Sequence, residues 1–206
     1  MEKTAHWDSV YGKRTPEEQG WYAVRPYPSL DWILDAELPH EDAILDAGGG
    51  ASTLVDHLLD AGFRHVEVLD LSQHALDLAR ERLKDRANHV TWTCGDVCQV
   101  PHAPGSIALW HDRAVFHFLR DHADRLAYRQ GVLDAVRPNG VLILGTFRPG
   151  APPKCSGLPV RHHTADELAA FFGPEFTLEE RLESVHITPG GVEQAYIFVR
   201  LRKSGT

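Results

Sequence analysis

ILDAGGGAST, residues 44–53, carries a short apolar run into three consecutive glycines and then into a serine and a threonine. An apolar run that stops at glycine and continues as a helical pattern is a strand, a tight turn and a helix. In an open α/β sheet a ligand binds outside the carboxyl ends of the strands, so this turn is expected to face one. A phosphate-binding P-loop would need Lys followed by Ser or Thr after its glycines, and none is present. A dinucleotide fingerprint, G-x-G-x-x-G, fits Gly48 and Gly50, but Thr53 stands at its third glycine. The remaining pattern, D-x-G-x-G, starts at Asp46 and implies a ligand that need carry no phosphate. A glycine turn without any ligand is the plain alternative.

Working outward, apolar and helical patterns alternate. Strands are expected at 43–48, 65–72, 89–97, 106–112 and 140–147, and helices at 52–62, 73–86 and 121–136. Ala75, Leu76, Ala79 and Leu83 share one face of the second of these helices. Such alternation builds a parallel sheet with helices on both faces. The chain ends differently. After a helix at 164–173, two extended runs flank TPGG, which predicts a hairpin whose last strand is antiparallel to its neighbour. The fold class is therefore α/β: a Rossmann-like, seven-stranded, mostly parallel sheet closed by a C-terminal hairpin.

At 206 residues the chain is expected to form a single domain, 1–206. The net charge of −8 argues against nonspecific nucleic-acid binding, and no apolar run is long enough for a membrane span. MEKTAHWDSV has no apolar core of a secretory signal, and three cysteines cannot make a disulfide framework, so a cytoplasmic, reduced setting is expected. Oligomeric state is not legible.

Two further strand ends decide the ligand. Asp70 follows the glycine turn at the spacing where a carboxylate accepts hydrogen bonds from ribose hydroxyls. Asp96, in CGDV, lies beside the same crevice, where a carboxylate can accept from an adenine amino group. Aspartates at strand ends also cap helices, so each alone is weak. In series with the hairpin, they make the sequence resemble the class I S-adenosylmethionine-dependent methyltransferases over nearly its whole length. LDAGGGAST is similar to their motif I, VLDLS to their ribose-binding strand end and CGDV to their adenine-side motif. VRPNGVLILGTF resembles a strand whose entry usually reads P-G-G; Asn139 replaces a glycine there but tolerates positive φ.

The resemblance implies S-adenosylmethionine as cofactor, bound by Asp46, Gly48, Gly50, Asp70, Leu71, Asp96 and Val97. HWDSVYGKR and GWYAVRPYPSL resemble the opening of a bacterial subgroup, with relatives among lysine methyltransferases. By that resemblance Trp7 and Tyr11, one helical turn apart, cap the pocket, and residues 1–40 form a helical lid. A helix packed on the core is the bland reading of Trp7.

Methyl transfer is an in-line displacement in which proximity and alignment matter most, and a base is needed only for a protonated nucleophile. The acceptor is expected near LWHDRAVFHFL, at the end of the fourth strand. His111 and Asp112 are the candidate catalytic pair, with helix capping by Asp112 as the alternative. Trp21, Arg113 and Cys155 are expected to bind the acceptor, Cys155 from a long connection at 148–163. No metal site is expected, because Cys155, His162 and His163 match no zinc spacing. The acceptor is a small molecule or a protein side chain offering nitrogen, sulfur or selenium. A protein lysine methyltransferase, an NAD-dependent oxidoreductase and a cofactor-binding protein without catalysis are the alternatives.

Overall fold

A computed structural model describes residues 2–205. Helix α1 (Glu2–Lys13) and the short α2 (Ser29–Leu34) precede the first strand. There follow β1 (Ala43–Ala47), α3 (Leu54–Asp60), β2 (His65–Asp70), α4 (Gln73–Leu83), β3 (Val90–Cys94), β4 (Ile107–Arg113), α5 (His122–Ala135) and β5 (Val136–Phe147). A two-stranded ribbon, β6 (Lys154–Cys155) and β7 (Leu158–Pro159), leads to α6 (Ala165–Phe172). The chain ends with β8 (Phe176–Ile187) and β9 (Glu193–Lys203).

The seven-stranded sheet has the order β3-β2-β1-β4-β5-β9-β8. Strands β1 to β5 pair in parallel, and β9 runs antiparallel to both β5 and β8. β1 lies between β2 and β4, so the chain reverses its direction of travel across the sheet there, and the crevice of that switch point opens beyond the glycines.

Alternation along the strands splits the core into two layers. Ile44, Val68, Leu109 and Ile143 face one side with α2, α3 and α4. Leu45, Leu69, Trp110 and Leu142 face the other with α5 and α6. Strands covered on both faces must be apolar at nearly every position, which is why the central ones read as continuous runs. Local chemistry sets the helix starts. Ser72 Oγ accepts from Ala75 N at 3.1 Å to cap α4, and Thr164 with Glu167 forms a capping box on α6.

Several boundaries differ from expectation. The helix at 52–62 is confined to 54–60, because Gly49–Ser52 form a turn in which Ser52 N donates to Gly49 O at 2.8 Å. α4 stops at Leu83 and the chain continues to His89 as a 3₁₀ segment. β5 starts four residues early, with a register shift against β4 at Ile107 and Leu109, and Asn139 has φ +60° within that bend. The 148–163 connection, expected to be irregular, contains the β6–β7 ribbon.

Candidate active site

The glycine turn is built by close approach. Gly48 has φ +72°, and a β-carbon there would overlap Val115. Gly50 has φ +47°, and a β-carbon would overlap the Tyr11 hydroxyl and stand 3.0 Å from Asp70 Oδ2. A side chain at either position would be strained and would also push apart the walls of the crevice. Arg82, on α4, pins the turn from outside: Nη1 donates to Ala51 O at 2.8 Å and Nη2 to Ser52 O at 2.6 Å, while the guanidinium pairs with Asp56 at 2.7 Å. Nothing in the local pattern around Arg82 announces this tie, since its partners lie about 30 residues back in sequence.

A cavity of about 340 Å³ opens at this turn. That is within the size range of small-molecule sites. Gly48, Asp70, Leu71, Asp96 and Val97 line one part of it. Trp7, Tyr11 and Trp21 line it from the N-terminal segment, and Arg113 and Cys155 also contribute to its wall. Trp7 meets Trp21 edge-on at 6.0 Å and Phe118 at 5.1 Å, and Tyr11 meets Trp21 at 5.6 Å. Edge-to-face packing of this kind joins the N-terminal segment to the 3₁₀ turn after β4. Polar ties also hold α1 in place. Ser72 Oγ donates to Asp8 at 2.6 Å, and His6 Nε2 lies 3.1 Å from Ser156 O in the β6–β7 turn.

Asp70 is 8% exposed, and its Oδ1 accepts from Ser72 N at 2.8 Å. Burial pushes its carboxyl up to about 7; the Ser72 N–H pulls it down, and the nearby Asp46 and Asp8 carboxylates raise it further. A carboxylate has about four acceptor positions, so one amide leaves capacity for a ligand's hydroxyls. Asp96 Oδ1 accepts from Cys98 N at 2.9 Å, which sets its side chain at the rim of the same cavity.

His111 and Asp112 are placed differently from the expectation. His111 is 3% exposed, with Nδ1 at 2.7 Å from Asp46 Oδ1 and Nε2 at 2.8 Å from Ser29 Oγ. Both ring nitrogens are engaged, and neither His111 nor Asp46 is among the residues lining the cavity. The alternation along β4 explains this: Asp46 and His111 are register partners on neighbouring strands, so their side chains point to the same sheet face. Asp112, fully buried, accepts from Val115 N at 2.9 Å, Phe116 N at 3.1 Å and Tyr128 Oη at 2.8 Å. Burial raises it to about 6, opposed by those three donors and by His111. The pair thus anchors the chain where it leaves β4 and lacks an open face for a base. Gly50 and Asp46, also expected at the site, do not line the cavity either. Of the expected site residues, the others come together around one space.

Sequence reasoning missed Val115 and Phe118, which line the cavity, and Ser29 and Tyr128, which hold His111 and Asp112. The aromatic FHFL run after β4 was the available signal for Phe118.

Residues 44–140 match the family model described as a methyltransferase domain. Among curated proteins, the eEF1A lysine and N-terminal methyltransferase of Danio rerio is 24% identical over 119 residues, covering 58% of this chain and 17% of that protein. The chain therefore spans about a sixth of that relative's length. Among solved structures, one concerning the conversion of a disulfide bond into a thioacetal group during echinomycin biosynthesis superposes with a TM-score of 0.79 at 21% identity. It covers 99% of this chain and 93% of that one. The Burkholderia thailandensis 1,6-didemethyltoxoflavin-N1-methyltransferase, solved with S-adenosylhomocysteine, gives 0.67 at 20% identity, with 98% and 84% covered. At these identities the structural likeness establishes the fold. Together with the domain match over residues 44–140, it makes the chain similar to S-adenosylmethionine-dependent methyltransferases.

Proposed function

We propose that the chain moves a methyl group to a nucleophilic atom of an acceptor that enters the cavity beside Trp21, Arg113 and Cys155, under an N-terminal lid formed by residues 1–40. The observation that carries this is one cavity lined at once by Asp70, Asp96, Gly48, Trp7 and Arg113. When bound, the cofactor supplies an electrophilic methyl group on a sulfonium. Asp70 would accept from its ribose hydroxyls and Asp96 from its adenine amino group, with Leu71 and Val97 against the base. Trp7 and Tyr11 would close the cavity and exclude water, which strengthens polar contacts inside it.

The acceptor side favours a nucleophile that arrives unprotonated. Arg113 and Trp21 offer no base at neutral pH, and burial pushes the Cys155 thiol up to about 11. Ring nitrogen, and sulfur as a thiolate, fit that condition; an alkylamine, protonated at neutral pH, and a hydroxyl do not. With His111 enclosed, alignment by the walls is left as the main source of rate. A lysine of a protein remains a second reading, supported by what the Danio rerio relative is named for. Three unpaired cysteines suit a reducing cytoplasm, and no helix among the described residues is long and apolar enough to cross a membrane.

The test is incubation with S-adenosylmethionine labelled at the methyl group together with a lysate separated into small molecules and proteins. Label in a small-molecule fraction is the expected result. Label confined to a protein band moves the acceptor to the lysine reading, and no label in any fraction refutes methyl transfer.

A further inference from the structure

A second, smaller cavity, of about 160 Å³, lies on the other side of Arg113, whose side chain lines both spaces. Tyr196, on β9, forms part of its wall; the residue is 1% exposed, and its hydroxyl has no hydrogen-bond partner among the described residues. Arg113 Nε is also buried without a partner. Its guanidinium gives Nη1 to Trp21 O at 2.9 Å and stands 5.5 Å from the centre of the Tyr196 ring. Buried donors are almost always satisfied, so two unsatisfied donors beside one cavity ask for an acceptor that enters it. Of the other polar groups there, Arg25 pairs with Asp31 and His186 Nε2 lies 2.9 Å from Gly20 O, while the Tyr27 and Ser184 hydroxyls also line the space. Val185 and Ile187, on β8, are 51% and 63% exposed and line the same cavity.

A cation and a hydroxyl at depth, with Val185 and Ile187 exposed at the rim, suit a carboxylate attached to an apolar body. We propose that the side cavity binds the acid group of the methyl acceptor, which makes the acceptor a small organic acid with an apolar body. Arg113 Nε and the Tyr196 hydroxyl donate to the carboxylate, and Val185 and Ile187 cover the apolar part. Because Arg113 borders both spaces, an acid held there lies next to the main cavity. This rests on the reading of the main cavity as the cofactor's. In a chain of net charge −8, a guanidinium with no carboxylate partner among the described residues is a local device for holding an anion.

The experiment is calorimetric titration of phenylacetate, and of its neutral analogue phenylacetamide, with and without saturating S-adenosylhomocysteine. The acid is expected to bind at least about tenfold more tightly than the amide, the scale of one charge-assisted contact. Arg113→Gln should remove that difference. Tyr196→Phe should weaken phenylacetate severalfold without lowering Tm, because its hydroxyl has no protein partner to lose. Equal binding of acid and amide, or acid binding untouched by both variants, overturns the proposal. A second arm compares S-adenosylhomocysteine with 5′-methylthioadenosine, which lacks the amino-acid carboxylate. If Arg113→Gln weakens only the former, Arg113 holds the cofactor's own carboxylate and the proposal fails. Failure of the cofactor reading shows separately, as wild-type protein that does not bind S-adenosylhomocysteine, and the acid titration on the free protein still stands.

Discussion

If Asp70 holds the cofactor's ribose as proposed, cofactor binding should depend on pH in a direction that can be worked out. Its carboxyl is pushed up to about 7 by burial, with Asp46 and Asp8 adding to the effect. Ribose hydroxyls donate best to the ionised form. With a midpoint near 7, roughly one Asp70 in ten is ionised at pH 6 and roughly nine in ten at pH 8. If only the carboxylate form holds the ribose, affinity for S-adenosylhomocysteine should rise about tenfold between those values, ~1.4 kcal/mol. Asp70→Asn keeps the size and removes the titration. It should flatten the profile and, at pH 8, weaken binding by roughly 1.5–3 kcal/mol, the scale of a hydrogen bond to a charged group.

The stability of the free protein should respond with the opposite sign. The Asp70 carboxyl takes up its proton near pH 7 in the folded chain and near 3.8 in the unfolded one. Between those values the folded state binds more protons, so this group's contribution is full below 3.8 and is lost as pH rises to 7. Affinity thus climbs over the range in which Asp70 disfavours the free fold, and ligand should raise Tm most at the alkaline end. Calorimetric titration from pH 5.5 to 8.5 on wild type and variant reads the first effect, and Tm over the same range the second. Asp112, raised to about 6, also titrates in this window without lining the cavity, so Asp112→Asn is the control and should leave the slope in place. A slope that survives in Asp70→Asn would refute the reasoning.

Trp7→Ala, which removes the edge-on contacts to Trp21 and Phe118, should weaken S-adenosylhomocysteine by at least about tenfold in titration while Tm falls by only a few degrees. Gly50→Ala places a β-carbon against the Tyr11 hydroxyl at positive φ, so it should cost about 1–3 kcal/mol in urea unfolding. Tyr11→Phe in the same chain should restore part of that loss, and no restoration would mean the backbone strain alone accounts for it. His117, fully buried, is held at about 3 by burial and then by His163 and His162, so the unfolded chain, at 6.5, binds the extra proton. Stability should therefore fall as pH drops from 6.5 toward 3, and His117→Phe should reduce the slope by about one proton, ~1.4 kcal/mol per pH unit.

Much of the fold is legible because period and punctuation agree. The central strands are covered on both faces and read as short apolar runs; the C-terminal hairpin reads from Gly190 and Gly191 between two extended runs. What escaped is set by partners distant in sequence. Thr53, which precedes α3, donates its Oγ1 to Ala23 O at 2.8 Å, a tie no local pattern announces. Thr53 thus serves the join to the N-terminal segment at the position where a dinucleotide fingerprint would place glycine for close helix–strand packing.

The proposed cofactor half and the proposed acceptor half of the site differ in legibility for a physical reason. Gly48, Asp70 and Asp96 sit at the ends of successive parallel strands, and a parallel sheet lines such ends up in one crevice whatever else the chain does. Strand-end position alone did not decide the role of His111 and Asp112. On β4 the deciding facts are a same-face neighbour, Asp46, and two partners from other elements, Ser29 and Tyr128. Those contacts turn a pair with the right chemistry for a base into an anchor for the chain leaving the sheet. Arg113, next in sequence, has no such set of partners and is left facing two cavities. On a strand end that borders a ligand site, a polar side chain satisfied by protein groups holds the wall. One left unsatisfied is available to the ligand, and that distinction lies in tertiary contacts which the spacing of residues does not encode.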